Sequence, residues 1–132
     1  MKTFCVIPAF NEEKNIKIII SQARPLVDAL VIVDDGSSDR TADFAKTAGV
    51  VLLKHIINRG QGAALRTGTA YCLNNGADII IHFDGDGQFL SRDLKKIAAP
   101  IKDGAAQVVF GSRFLNGESS ASMPIFKKYF II

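Results

Sequence analysis

Asp78-Ile79-Ile80-Ile81-His82-Phe83-Asp84-Gly85-Asp86-Gly87-Gln88 is the stretch on which the fold turns. Residues 78–83 carry an apolar run with no polar alternation until His82. A strand covered on both faces reads this way, whereas a half-exposed strand alternates. The run then breaks into carboxylates and glycines. Outward from it the same design recurs. Residues 3–8, 29–33, 50–54 and 107–110 are short runs rich in strand formers, giving five predicted strands, with Pro8 expected to stop the first.

Between these runs the apolar period changes to that of a helix. Asn11, followed by Glu12 and Glu13, predicts a cap and an acidic first turn for a helix carrying Ile16, Ile19, Ile20 and Ala23 up to Pro25. Ser38 or Asp39 is expected to cap a short helix through Ala48, closed by Gly49. Residues 63–75 read as a helix with Ala64, Leu65, Ala70 and Leu73 on its apolar stripe and Gly76 at its end. Ser91 is expected to cap a helix carrying Leu94, Ile97, Ala98 and Ile101, broken or kinked at Pro100. Strands alternating with helices predict an α/β fold: a mostly parallel sheet with helices on both faces. A chain of 132 residues has room for one such domain, spanning 1–132.

Composition narrows the function classes. The net charge of +3 is dispersed, with no basic block of the kind that marks a nucleic-acid surface. No apolar run is long enough to span a bilayer, and no signal peptide is expected ahead of the first strand. Cys5 and Cys72 are too few and too far apart for a disulfide framework or a zinc site, and read as small buried hydrophobes in a reducing compartment. The chain stops in an uncapped apolar segment, residues 125–132, as a cut through a larger domain would leave it.

In open parallel sheets, ligands sit outside the carboxyl ends of the strands. Polar residues gather at those ends: Pro8 to Glu12, Asp34 to Asp39, Asp84 to Gln88, and Gly111 to Arg113. Alone, Asp84-Gly85-Asp86 reads as a solvated Asx turn. Beside three other polar strand ends it reads as a metal site, because two carboxylates at i and i+2 separated by glycine can face one point. Hard oxygen donors suit Mg2+ or Mn2+ with a phosphate-bearing ligand, and Gln88 could add an amide oxygen or hold a bound water. Asp35 reads as an acceptor for a base N–H, whereas Ser37, Ser38 and Asp39 read as capping and turn residues. Arg59, in Arg59-Gly60-Gln61-Gly62, is either a diphosphate contact or a solvated loop arginine, and Arg113 carries the same alternatives with a better position. His55 and His82 have no partner at a metal-ligand spacing, and His82 reads as a satisfied core or edge histidine.

Taken in order, Val6-Ile7-Pro8-Ala9-Phe10-Asn11-Glu12-Glu13, Val33-Asp34-Asp35-Gly36-Ser37-Ser38-Asp39-Arg40-Thr41, Asn58-Arg59-Gly60-Gln61-Gly62-Ala63-Ala64, Asp84-Gly85-Asp86-Gly87-Gln88 and Gly111-Ser112-Arg113-Phe114 resemble the inverting GT-A-fold glycosyltransferases of family 2. Among these they are most similar to the polyprenyl-phosphate (dolichol-phosphate) mannose or glucose synthases. The resemblance implies a Rossmann-like nucleotide-sugar fold cut short at its C-terminus. It implies a nucleotide pocket lined by Pro8, Phe10 and Glu12, base contacts from Val33 and Asp35, and phosphate contacts from Arg59 and Arg113. Asp84, Asp86 and Gln88 would hold the Mg2+ or Mn2+, with Gly85 standing where relatives often have alanine. Asp86 and Arg113 would be catalytic, stabilising the departing nucleoside diphosphate while the acceptor phosphate attacks with inversion.

The implied donor is a GDP- or UDP-sugar and the implied acceptor a polyprenyl phosphate. The implied place is the cytoplasm, at the membrane surface through the missing C-terminal part, and the surface left bare by that part could drive homo-oligomers. Two other readings are weighed against this one: a non-catalytic or truncated nucleotide-sugar-binding module, and a sugar-nucleotide pyrophosphorylase. The latter would carry a glycine-rich basic loop where Ala9-Phe10-Asn11-Glu12-Glu13 stands.

Overall fold

The computed structural model describes residues 1–84 and 93–111. Gly85, Asp86, Gly87, Gln88, Ser91, Ser112, Arg113, Phe114 and the apolar end at 125–132 lie outside the described residues, so the expectations attached to them are not met with geometry here.

Four strands, β1 (Thr3–Ala9), β2 (Ala29–Asp34), β3 (Val51–Lys54) and β4 (Ile79–His82), form one parallel sheet in the order β3-β2-β1-β4. Four α-helices, α1 (Ile16–Ala23), α2 (Thr41–Thr47), α3 (Gln61–Asn74) and α4 (Asp93–Lys102), connect or follow them, with one 3-10 turn at Arg24–Leu26. The chain steps outward from β1 to β3 and then returns across the sheet to β4 on the far side of β1. Right-handed crossovers put α1 and α2 on one face during the outward steps and α3 on the other during the return. The burial pattern follows this division. Cys5, Ile7 and Ala9 of β1 pack with Ile16, Ile20, Ala45, Leu94 and Ala98 on the α1, α2 and α4 side. Phe4 and Val6 pack with Val31, Val33, Ala64 and Cys72 on the α3 side. The helices therefore lie on both faces of a parallel sheet, as the periodicity predicts.

Helix α3 approaches the sheet closely through Gly68. A Cβ there would overlap Val6 Cγ1 and press on Val33 Cγ2 at 3.1 Å. The stripe that faces the sheet is the small set Ala64, Gly68 and Cys72, whereas the expected Ala70 and Leu73 are exposed, Leu73 at 64%. The sheet already fills the space beneath α3 with valines, which selects against bulk on the helix.

Several local expectations are corrected. Pro8 does not stop β1, which runs on to Ala9. Val6 accepts the Phe83 N–H on the β4 side, and pairing with β4 ends at Val6. Pro8, two residues later, turns its missing N–H to that open side and removes no ladder bond. Asn11 does not cap α1. It sits in the left-handed region at φ 52, and the helix begins only at Ile16, with no acidic residue in its first turn. Asn tolerates this conformation, and its side chain is used by the next loop instead. Residues 107–110 form no strand: they pair with nothing among the described residues, and Val108 and Phe110 are 67% and 90% exposed. Strand propensity gives no ladder without a partner edge. Pro100 does not break α4 either. The helix runs two residues past it to Lys102, giving up only the i→i−4 bond that the missing Pro100 N–H would have made to the Lys96 carbonyl.

Replacing Gly68 with alanine is expected to destabilise the fold. Overpacking a filled interface costs about 1–3 kcal/mol, against a gain of at most ~1 kcal/mol in helix propensity. Gly62, in the same helix with nothing within 4 Å of its Cβ position, is the control. Denaturant titration is expected to show Gly62→Ala neutral or stabilising and Gly68→Ala destabilising.

Candidate functional site

The reversal of strand order at β1 leaves a crevice at the carboxyl ends of β1, β2 and β4. A cavity of about 260 Å³ occupies it, lined by Pro8 and Ala9 at the end of β1, Phe10 and Glu12 beyond it, Asp35 after β2, Asn58 and Gly60 before α3, Gln61 at its first position, and Asp84 after β4. Five residues singled out from the sequence thus line one cavity: Pro8, Phe10, Glu12, Asp35 and Asp84. Val33 does not line it. Its side chain is fully buried beneath α3. Arg59 lies between two lining residues, but its side chain is exposed, and among the described residues only its backbone N–H is engaged.

The rim is tied across loops. Asn11 Oδ1 accepts the Ser38 N–H at 2.9 Å, and the Asn11 N–H is donated to Ser37 Oγ at 2.9 Å. Glu12 N–H is donated to Thr41 Oγ1 at 2.8 Å and Glu13 N–H to Asp39 Oδ2 at 3.1 Å. Asp39 Oδ1 also accepts the Thr41 N–H at the start of α2, one residue before the Arg40 cap position. Burial alone would raise the Asp39 carboxyl, but the Thr41 hydroxyl, the Thr41 N–H and the Glu13 N–H outweigh it and hold it below its ordinary value. Gly36, at φ +75, lets the β2 loop touch the next one, since a Cβ there would lie 2.6 Å from Asn58 N and Ile57 C.

Asp35 is the most constrained group in the cavity wall, with only 2% of its surface exposed. Its Oδ1 accepts from His55 Nδ1 at 2.6 Å and from the Arg59 N–H at 2.9 Å, and its Oδ2 accepts from the Gly60 N–H at 2.7 Å. Burial pushes its pKa up. The Arg59 N–H, the His55 side chain, the Gly60 N–H and the charge of His55 pull it down and prevail, so the carboxyl lies below its ordinary value. An ionised carboxylate only accepts, which makes His55 Nδ1 the donor. His55 Nε2 is in turn 2.9 Å from Thr67 Oγ1 on α3. Neighbouring Asp34 is also buried. Its Oδ1 accepts the Ser37 N–H at 3.3 Å, and its Oδ2 has no hydrogen-bond partner among the described residues.

The partner network of Asp35 was not read from the sequence. His55 follows β3 directly, the same strand-end position that singled out the other site residues. Thr67 becomes its neighbour only through the packing of α3. Asn58 and Gln61 are lining residues by the same packing. His82 is the edge histidine expected, exposed on β4, with Nε2 2.8 Å from Thr69 Oγ1. Both cysteines are free and buried. Burial, with the nearby Cys72, pushes the Cys5 thiol up to about 12, which leaves it inert as a nucleophile.

Asp84 is half-buried, lines the cavity and makes no hydrogen bond or ion pair with the described residues. No group of three potential ligands occurs among the described residues.

Residues 4–130 match the family described as Glycosyl transferase family 2. The chain belongs to that family. An uncharacterized protein of Methanocaldococcus jannaschii is 40% identical over 95% of this chain and 52% of its own length. The UDP-N-acetylglucosamine–dolichyl-phosphate N-acetylglucosaminyltransferase of Methanococcus voltae is 35% identical over 95% of this chain and 57% of its own. The crystal structure of glucosyl-3-phosphoglycerate synthase from Mycobacterium tuberculosis, in complex with Mn2+, UDP-glucose and phosphoglyceric acid, superposes with a TM-score of 0.63 at 26% identity, covering 76% of this chain and 39% of that one. The chain therefore spans about half the length of the curated relatives it matches. The fold is that of GT-A glycosyltransferases, and the pyrophosphorylase alternative gives way to the family match.

Because the Asp35 carboxyl is lowered on folding, its hydrogen bonds contribute stability above its unfolded pKa of about 3.9, and that contribution is lost as pH falls through its lower folded value. Asp35→Asn is expected to cost about 1–3 kcal/mol at neutral pH, where an amide N–H faces donors. Denaturant titrations across pH are expected to show the gap between wild type and variant closing below about pH 3.9.

Proposed function

We propose that this chain forms the donor-binding half of an inverting glycosyltransferase that moves a sugar from a nucleoside diphosphate sugar to a polyprenyl phosphate. The observation that carries the proposal is the cavity at the strand-order reversal, where Asp35 and Asp84, the latter without a partner among the described residues, meet Pro8, Phe10 and Glu12. The Methanococcus voltae relative, named for a UDP-sugar donor and a dolichyl-phosphate acceptor, supports the substrate classes. The Mn2+ and UDP-glucose complex of the Mycobacterium tuberculosis structure supports a divalent cation and the donor type.

In this reading Asp35 accepts an N–H of the base, Phe10 and Pro8 border the base and ribose, and Arg59 reaches from the rim toward the diphosphate. Asp84 holds the cation, with Asp86 and Gln88 completing the set and Arg113 adding charge on the phosphate side. A divalent cation, Mg2+ or Mn2+, would supply neutralisation of the charge that develops on the leaving diphosphate. The acceptor phosphate then attacks the anomeric carbon from the face opposite the leaving group, which inverts it. A dolichyl-type acceptor sits in a bilayer, so the intact enzyme works at a membrane surface. Free, buried Cys5 and Cys72 support its cytoplasmic side. No helix among the described residues is long and apolar enough to cross a membrane.

Calorimetry of the intact protein with UDP- and GDP-sugars, with and without Mn2+, tests this. Metal is expected to strengthen nucleotide-sugar binding, and Asp84→Ala to remove roughly tenfold or more of that metal-dependent affinity. Binding indifferent to metal would overturn the metal assignment, and binding without transfer to a supplied polyprenyl phosphate would leave a nucleotide-sugar-binding module.

A further inference from the structure

A carboxylate offers about four lone-pair sites. In Asp35 three are taken by donors among the described residues: two on Oδ1, from His55 Nδ1 and the Arg59 N–H, and one on Oδ2, from the Gly60 N–H. One site, on Oδ2, is left for the cavity that Asp35 lines. Resting on the proposed role of Asp35 as the base acceptor, we infer that His55, itself held by Thr67, is a specificity-determining positioning residue that leaves Asp35 one open acceptor site and so selects uracil over guanine.

Uracil offers a carboxylate one donor, its N3–H. Guanine offers a two-donor edge, N1–H and the 2-amino group, which a free carboxylate takes with both oxygens at once. With Oδ1 filled, guanine would leave one buried donor unpaired, and that penalty does not arise for uracil. The arrangement is rigid. His55 is buried, with its side chain 7% exposed, and bonded at both ring nitrogens. Asp35 therefore cannot turn about its Cβ–Cγ bond to free its second oxygen without breaking the His55 bond. His55 touches no substrate in this account and acts through Asp35.

Calorimetry of the intact protein with UDP and with GDP, each with Mn2+, provides the test. Wild type is expected to bind UDP about tenfold or more tighter than GDP. His55→Leu opens one of the two sites on Oδ1, the Arg59 N–H keeping the other, and is expected to bring the two affinities within about threefold of each other, chiefly by strengthening GDP. His55→Asn, whose amide nitrogen can stand in for Nδ1, is expected to keep most of the preference. If His55→Leu does not fold, Thr67→Val removes only the hydroxyl behind the ring and is expected to narrow the preference in the same direction. Equal binding of UDP and GDP by wild type would overturn the inference while leaving the nucleotide-binding reading intact. An unchanged ratio in the folded variants would also overturn it. Binding of neither nucleotide would overturn both.

Discussion

Strand β1 is hydrogen-bonded on both sides, to β2 along Phe4–Ala9 and to β4 along Thr3–Val6, and every one of its residues is buried. The rest of the structure depends on that double pairing. A chain that has stepped outward from β1 to β3 can return to β1's free edge only by crossing the sheet, and the crossing helix must then lie on the opposite face. The crevice at the carboxyl ends of β1, β2 and β4 is a consequence of strand order, present before any side chain is chosen to fill it.

What fills it obeys a second constraint. A sheet buried on both faces ends its strands next to apolar core, so a carboxylate at such an end has little water to turn to. Asp35 meets this by drawing donors from other parts of the chain: an imidazole after β3 and two backbone N–H groups before α3. These bonds also hold the residue 58–60 loop against the β2 loop, which Gly36 allows to approach. Asp84, just after β4, has no such donors among the described residues. The two carboxylates share a cavity but differ in their partners among the described residues: Asp35 is satisfied by the chain's own donors and Asp84 by none of them. The roles proposed for them rest on that difference more than on residue type.

Much of this was legible in the sequence for a physical reason. Continuous apolar runs demand cover on both faces, and cover on both faces demands helices between strands, so the architecture follows from Ile79–His82 and its counterparts. The cavity residues Pro8, Phe10, Glu12, Asp35 and Asp84 were legible because strand ends are marked by where the apolar run breaks. The failures share one cause, which is that local preference was read where a distant partner decides. Asn11 has the composition of a cap, yet its amide oxygen is engaged by Ser38 in another loop. Residues 107–110 have the composition of a strand, yet they meet no edge among the described residues. Pro8 has the composition of a terminator, yet its missing N–H falls where β4 has already ended. Leu73 keeps helical spacing, but the valines beneath α3 admit only Ala64, Gly68 and Cys72.

His55 is the most instructive of the residues left unread. As a lone histidine it had no local signature, and its meaning comes from two contacts of sequence separation 20 and 12. Neither follows from periodicity. Both follow once α3 is laid across the sheet, because that helix brings Thr67 behind the ring while β2 brings Asp35 in front of it. A buried polar side chain with each polar atom matched is held in one orientation, since any rotation strands a donor or acceptor away from water. The bonds that make Asp35 tolerable in the core therefore also decide how many acceptors it has left to offer. In this sheet, satisfying a buried charge and limiting what it can recognise are the same set of hydrogen bonds.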